Sequence, residues 1–141
     1  MAGPRPLPLE LLTAMAKVHD LTVVLPTYDR PGLLRSALLG ISRNLAPGDE
    51  LPVIVVDDGS SCDYAAVIQS ADIPVTYVRQ DNAGPATARN QGWKAATTTW
   101  VVFLDDDAVA QPGALDAVRR AFTDPGVVAV GGAVQADWAA G

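Results

Sequence analysis

Three polar clusters stand where apolar runs end. Asp105, Asp106 and Asp107 follow WVVFL, the pair Asp57 and Asp58 with Gly59 and Ser60 follows VIVV, and PTYDR at positions 26–30 follows LTVVL. Three adjacent carboxylates repel one another, and partial desolvation makes their charged forms costlier still. A cation is the natural compensation. Mg2+ or Mn2+ suits oxygen ligands and takes one or two carboxylates together with the phosphates of a substrate. In an extended segment Asp105 and Asp107 project to one side and Asp106 to the other, so one can serve a metal and another a ligand hydroxyl. The competing interpretation is a solvated acidic turn, as most runs of Asp are.

Asp58 can accept a hydrogen bond from a heterocycle N–H or a ribose hydroxyl, or it can cap the segment after Ser61. Ser60 and Ser61 suit capping as well. Tyr28 offers an aromatic face to a base, or packs half-buried. The segment DNAGPATARNQGW holds the only organised positive charge expected at these strand ends. Helical side chains lean toward the helix N-terminus, so Arg89, one turn in from Pro85, points back toward the acidic clusters. With the free N–H groups of that helix it attracts a diphosphate; a surface ion pair is the plainer alternative. Gly84 and Gly92 read as capping or close-approach positions.

From Leu21 onward, apolar β-rich runs alternate with helical stretches, the pattern of βα units on a parallel sheet. The spacing predicts strands over 21–25, 53–56, 75–78, 100–104 and 127–130, and helices over 31–45, 64–70, 85–97 and 112–122. In the helix over 31–45, Leu33, Leu34, Ala37, Leu38, Ile41 and Leu45 recur at helical spacing. Asp29 or Arg30 is expected to cap it, Pro31 suits its first turn, and Pro47 with Gly48 stops it. The first strand should stop short of Pro26, which cannot donate to a ladder. Each strand is nearly all apolar, which suits burial on both faces. The expected fold is α/β, a doubly wound, mostly parallel open sheet. With strand order 3-2-1-4 the three polar clusters converge on the carboxyl edge, where such sheets bind ligands.

The chain has 141 residues, 49% of them hydrophobic and 18% charged, which describes one folded domain rather than a disordered segment. A formal charge of −6 argues against nucleic acid as a partner. One cysteine, Cys62, cannot form an internal disulfide, and one histidine, His19, cannot build a Cys/His zinc site. No Cys/His or Ser/His pairing suggests a nucleophile. Neither a G-x-G-x-x-G nor a P-loop pattern occurs. Residues 1–20 read as an N-terminal arm with a short amphipathic piece over 9–18. That arm does not have the make-up of a secretory signal, and no apolar run reaches the roughly 18 residues a bilayer demands. A cytoplasmic location fits.

Taken in order, VVLPTYDRPGLLRSAL, VIVVDDGS, DNAGPATARNQGW and WVVFLDDDAVAQPGAL resemble the nucleotide-binding half of family 2 glycosyltransferases, which have the Rossmann-like GT-A fold. The resemblance covers residues 21 to about 132. It implies that Pro26, Thr27, Tyr28 and Asp29 line a base and ribose pocket and that Asp58 meets the uracil of a UDP-sugar. Arg89 would approach base and diphosphate. Asp105 to Asp107 would be the D-x-D element, with Asp107 the direct metal ligand and Asp105 or Asp106 touching ribose or sugar. It further implies Mn2+ or Mg2+ on the diphosphate and inverting transfer to an acceptor hydroxyl, whether saccharide, lipid-linked or other. The acceptor half of such enzymes, with its Asp or Glu base, has no counterpart here, and nothing places Asp116, Asp124 or Asp137 in that role. Residues 21–141 are therefore expected to be the donor-binding part of an incomplete GT-A domain, open to a peripheral membrane location in a longer parent. Other classes compete: a non-catalytic nucleotide-binding or interaction module, a phosphoacceptor receiver domain and a sugar nucleotidyltransferase. The receiver reading suffers because neither Lys17 nor Lys94 lies at a strand end. The nucleotidyltransferase lacks its Gly-rich loop after the first strand.

Overall fold

The computed structural model describes residues 21–137, so the arm over 1–20 and His19 lie outside the described residues. Four strands form, β1 (Leu21–Thr27), β2 (Val53–Asp57), β3 (Val75–Arg79) and β4 (Trp100–Phe103), with four helices, α1 (Pro31–Ser42), α2 (Ala65–Gln69), α3 (Pro85–Ala95) and α4 (Ala114–Ala121). They make one open sheet in the order β3-β2-β1-β4, as expected, and every pair is parallel. Parallel neighbours need a crossover, and α1, α2 and α3 supply the three in turn.

Strand alternation sorts the core into two layers. Leu21, Val23, Leu25, Val53 and Val55 face Leu34, Ala37, Leu38 and Ile41 of α1 and Leu115 of α4. Val24, Ile54 and Val56 face Ala88 of α3 on the opposite side. This is the doubly wound arrangement. Helix α3 lies close to the sheet because Gly92 has no side chain: a Cβ there would come within 2.2 Å of Val24 Cγ1.

Several expectations need correction. Only the central strands β1 and β2 are buried throughout; β3 and β4, at the edges, are half-exposed, since each has a neighbour on one side only. Strand β1 also runs on through Pro26 to Thr27. Val23 and Thr27 bond toward β2, whereas Val24 accepts from Leu104 on the β4 side, so Pro26 turns its missing N–H to β4 and keeps its register with Val56. The β1–β4 ladder cannot continue there, and the chain after Leu104 leaves the sheet as a turn closed by Ala108 N–H on Asp105 O at 3.0 Å. Helix α1 begins after Arg30 with no side-chain cap, Pro31 filling its first turn, and it ends at Ser42 rather than at 45. Leu33 is exposed rather than on the buried face. The strand expected over 127–130 is absent: that run finds no partner strand among the described residues, and Val128 and Val134 are 85% and 93% exposed.

Candidate functional site

The carboxyl ends of β1, β2 and β4 and the start of α3 enclose a cleft of about 510 Å3. Its floor is organised by a buried hydroxyl relay. Thr27 Oγ1 donates to Asp106 Oδ2 at 2.8 Å. Having spent its one hydrogen, it must accept from Tyr64 Oη, 3.1 Å away. Tyr64 in turn accepts the N–H of Arg30 at 3.0 Å and the hydroxyl of Ser60 at 3.3 Å. Burial pushes the Tyr64 phenol up from its ordinary pKa, which keeps the proton this relay uses.

Asp29 departs from its expected place. Its φ of +51° turns the side chain toward the loop after β2, where Oδ1 accepts the N–H of Ser61 at 2.7 Å, the Ser61 hydroxyl at 2.9 Å and the N–H of Cys62 at 3.1 Å. Those bonds, the Cys62 N–H foremost, hold its carboxyl below the usual range. Asp29 is a loop clamp and does not line the cleft, whereas Pro26, Thr27 and Tyr28 do. Nor does Asp29 or Arg30 lend α1 a side-chain cap.

The two carboxylates after β2 part company. Asp57, fully buried, faces the β3 edge and accepts from Tyr77 Oη at 2.5 Å, Arg79 Nη1 at 2.7 Å and the Ser60 N–H at 2.8 Å. Asp58 faces the cleft and accepts from Gln80 Nε2 at 2.7 Å and from the N–H groups of Ala83 and Gly84 at 2.8 and 2.9 Å. For both, burial alone would raise the pKa; the donors around each carboxylate outweigh it and hold the group below the usual range. Asp58 thus caps the loop that leads into α3, not the segment after Ser61. It takes the Gly84 N–H, and Pro85 has none, so the orphan donors left at the helix start belong to Ala86 and Thr87. Gly59, at φ +78°, makes the turn possible, since a Cβ there would sit 2.7 Å from the Asn82 nitrogen.

In the acidic run Asp106 is buried and the side chains of Asp105 and Asp107 are more than half exposed, the alternation expected. Arg89 Nη2 meets Asp105 Oδ1 at 2.5 Å. Arg30 Nη1 lies between Asp106 Oδ1 at 3.4 Å and Asp107 Oδ2 at 3.6 Å. The helix bearing Arg89 is therefore not the only positive charge at this edge: Arg30 and Arg79 join it. Arg30 and Asn82 line the cleft and were not singled out from sequence as binding residues. Arg30 follows the Tyr-Asp of a motif already suspected, and that adjacency was the available signal. Tyr64, 37 positions from Thr27, left none.

Among the described residues no group of three or more His, Cys, Asp or Glu side chains converges to hold a metal ion. The run fits a hard cation in another way. Asp107 is exposed and carries only the long Arg30 contact, so its carboxylate is available to a hard cation, whose other oxygen ligands would have to come from phosphate and water.

A doubly wound parallel sheet with an acidic run at its carboxyl edge, opposed by arginines and a helix N-terminus, is an α/β architecture of the GT-A kind. The family model described as Glycosyl transferase family 2 matches residues 22–139, and the chain belongs to that family. The pre-mycofactocin glycosyltransferase of Mycobacterium tuberculosis (strain ATCC 25618 / H37Rv) is 39% identical over 115 residues, covering 79% of this chain and 23% of its own length. The validoxylamine A glucosyltransferase of Streptomyces hygroscopicus subsp. limoneus is 34% identical over 116 residues, covering 79% and 26%. The chain spans about a quarter of the length of these curated relatives. Among solved structures, the mannosyltransferase PcManGT from Pyrobaculum calidifontis in complex with GDP-Man and Mn2+ superposes with a TM-score of 0.64 at 29% identity, over 81% of this chain and 34% of that one. S. aureus TarS 1-349 gives a TM-score of 0.67 at 22% identity over 74% and 32%, a likeness of fold. Among the described residues no helix is long and apolar enough to cross a membrane.

Proposed function

We propose that residues 21–141 form the donor-binding part of a metal-dependent, inverting glycosyltransferase that takes its sugar from a nucleoside diphosphate, UDP in the first instance. The observation that carries this is the convergence of Thr27, Tyr28, Asp58, Arg89 and Asp105 to Asp107, from distant parts of the chain, on one cleft. The glycosyltransferase names of the relatives support the reaction class, and the neighbour bound to GDP-Man and Mn2+ supports the ligand class.

The half-exposed ring of Tyr28 stacks on the base. A carboxylate accepts about four hydrogen bonds, and Asp58 has three in place, two of them on Oδ1. The position left on Oδ2 matches a base with one ring N–H, as in uracil, better than the paired donors of guanine. Arg89 and the N–H groups of Ala86 and Thr87 receive the diphosphate. Asp107 holds a divalent cation, Mn2+ or Mg2+, and Asp105 or Asp106 meets ribose or sugar; when bound, the cation supplies Lewis-acid stabilisation to the leaving diphosphate. Inversion follows from in-line attack by an acceptor hydroxyl, from a saccharide, a lipid-linked sugar or another alcohol. None of Asp116, Asp124 and Asp137 lines the cleft, and the general base is assigned to none of them. A cytoplasmic site of action, at or away from a membrane surface, suits a chain with a single cysteine.

The test is thermal. A UDP-sugar with Mn2+ raises the melting temperature of the folded chain, and either alone does less. Calorimetric titration of UDP, GDP and dTDP with and without Mn2+ then ranks the bases. No shift with any of them in a sample shown to be folded overturns the proposal.

A further inference from the structure

We propose that Arg30 is an internal counter-ion that competes with a divalent cation for the acidic run and is drawn off by a diphosphate, so that the two ligands bind cooperatively. The inference rests on the donor-binding reading above and adds a regulator to that site. The backbone of Arg30 is pinned: its N–H donates to buried Tyr64 at 3.0 Å and its carbonyl accepts from Leu34 at 3.0 Å. From this fixed base the side chain reaches from the end of β1 to the acidic run beyond its neighbour β4. One nitrogen, Nη1, is shared between Asp106 at 3.4 Å and Asp107 at 3.6 Å. Both distances exceed the 2.7–2.9 Å typical of strong charge-assisted bonds. The Arg30 and Asp107 side chains are 54% and 59% exposed, so the contact is weakly held and exchanges readily.

Charge makes the exchange directional. Arg30 and Arg89 leave the three carboxylates with one net negative charge. A divalent cation on Asp107 would reverse that sign while Arg30 stayed, and it would compete for the same Oδ2 that the guanidinium faces. Cation entry would therefore turn Arg30 away. A displaced guanidinium, more than half exposed, can turn to solvent or to the oxygens of a diphosphate, whose geometry its planar fork matches; the second couples the two ligands. Each ligand thus improves the site for the other, by the same factor in both directions. Arg89 is held more tightly on Asp105, at 2.5 Å, which leaves Arg30 as the exchangeable charge.

The experiment measures Mn2+ binding to the chain, by calorimetry and by loss of the free Mn2+ resonance signal, with and without UDP. It compares wild type, Arg30→Gln and Arg30→Lys, each checked for native circular dichroism. Without UDP, Arg30→Gln binds Mn2+ about twofold to fivefold tighter than wild type, the range expected for removing a weak ion pair. The tightening of Mn2+ by UDP shrinks by a similar factor. Arg30→Lys keeps the charge, so its Mn2+ affinity without UDP stays near wild type. If wild type binds Mn2+ and UDP but Arg30→Gln leaves the Mn2+ affinity or its coupling to UDP unchanged, the counter-ion role falls and the donor reading stands. If no variant binds either ligand, both fall.

Discussion

Thr27 and Asp106, 79 positions apart, share a buried hydrogen bond of 2.8 Å that ties the end of β1 to the acidic run. It decides how the run is presented. With Asp106 anchored inward, Asp105 and Asp107 on either side are turned outward, one to Arg89 and one to Arg30.

Thr27→Val removes the hydroxyl and keeps the shape. Asp106 loses a buried donor and Tyr64 an acceptor, so unfolding by urea should show a loss of about 1–3 kcal/mol. UDP should also bind more weakly with Mn2+, because the outward carboxylates lose their common anchor. A wild-type midpoint and wild-type affinity together would remove Thr27 from the site's framework.

Asp107→Ala touches nothing buried, and its stability should stay within about 0.5 kcal/mol of wild type. The Mn2+-dependent part of UDP binding should vanish while the Mn2+-independent part remains. Calorimetry reads both, and unchanged Mn2+ dependence would refute the assignment of Asp107 as ligand.

Gly92→Ala places a Cβ 2.2 Å from Val24 Cγ1, inside the layer between α3 and the sheet. Helix α3 must move away, at a cost of about 1–3 kcal/mol. Because α3 carries Arg89, donor affinity should fall with stability. A melting temperature equal to wild type would mean that the helix has slack the structure does not display.

Asp57 and Asp58 titrate below their ordinary value of 3.8 in the folded chain. A carboxylate depressed on folding stabilises the native state above its unfolded pKa, and that contribution disappears as pH falls through the lower folded value. The chain should therefore lose stability as pH drops below about 4. Asp58→Asn should flatten that acid limb by removing one titrating group. Acid denaturation followed by circular dichroism checks it; an acid limb as steep as wild type would show that Asp58 contributes nothing to it.

Much of the architecture was legible beforehand. Strands announce themselves as short, nearly all-apolar β-rich runs and helices through the 3.6-residue period of their apolar face, and the alternation of the two allows few sheet orders. That reasoning located β1 to β4, their order β3-β2-β1-β4 and the polar clusters at their carboxyl ends. It failed where a neighbour matters. The run over 127–130 has the composition of a strand, but a strand needs a partner ladder. Pro26 is barred from donating, but the side it turns to needs no donor.

The residue types at the rim, three aspartates after β4, two after β2 and an arginine in α3, were determined by sequence alone, and they raised the expectation of a cation with a diphosphate. Tertiary structure decided the role of each: Asp57 serves β3, Asp58 the start of α3, Asp29 the loop after β2 and Asp106 the threonine of β1. It also brought Arg30 to Asp107. A polar side chain takes whichever donor the crossovers carry to within about 3 Å. Those donors come from other elements, at separations that no local period records.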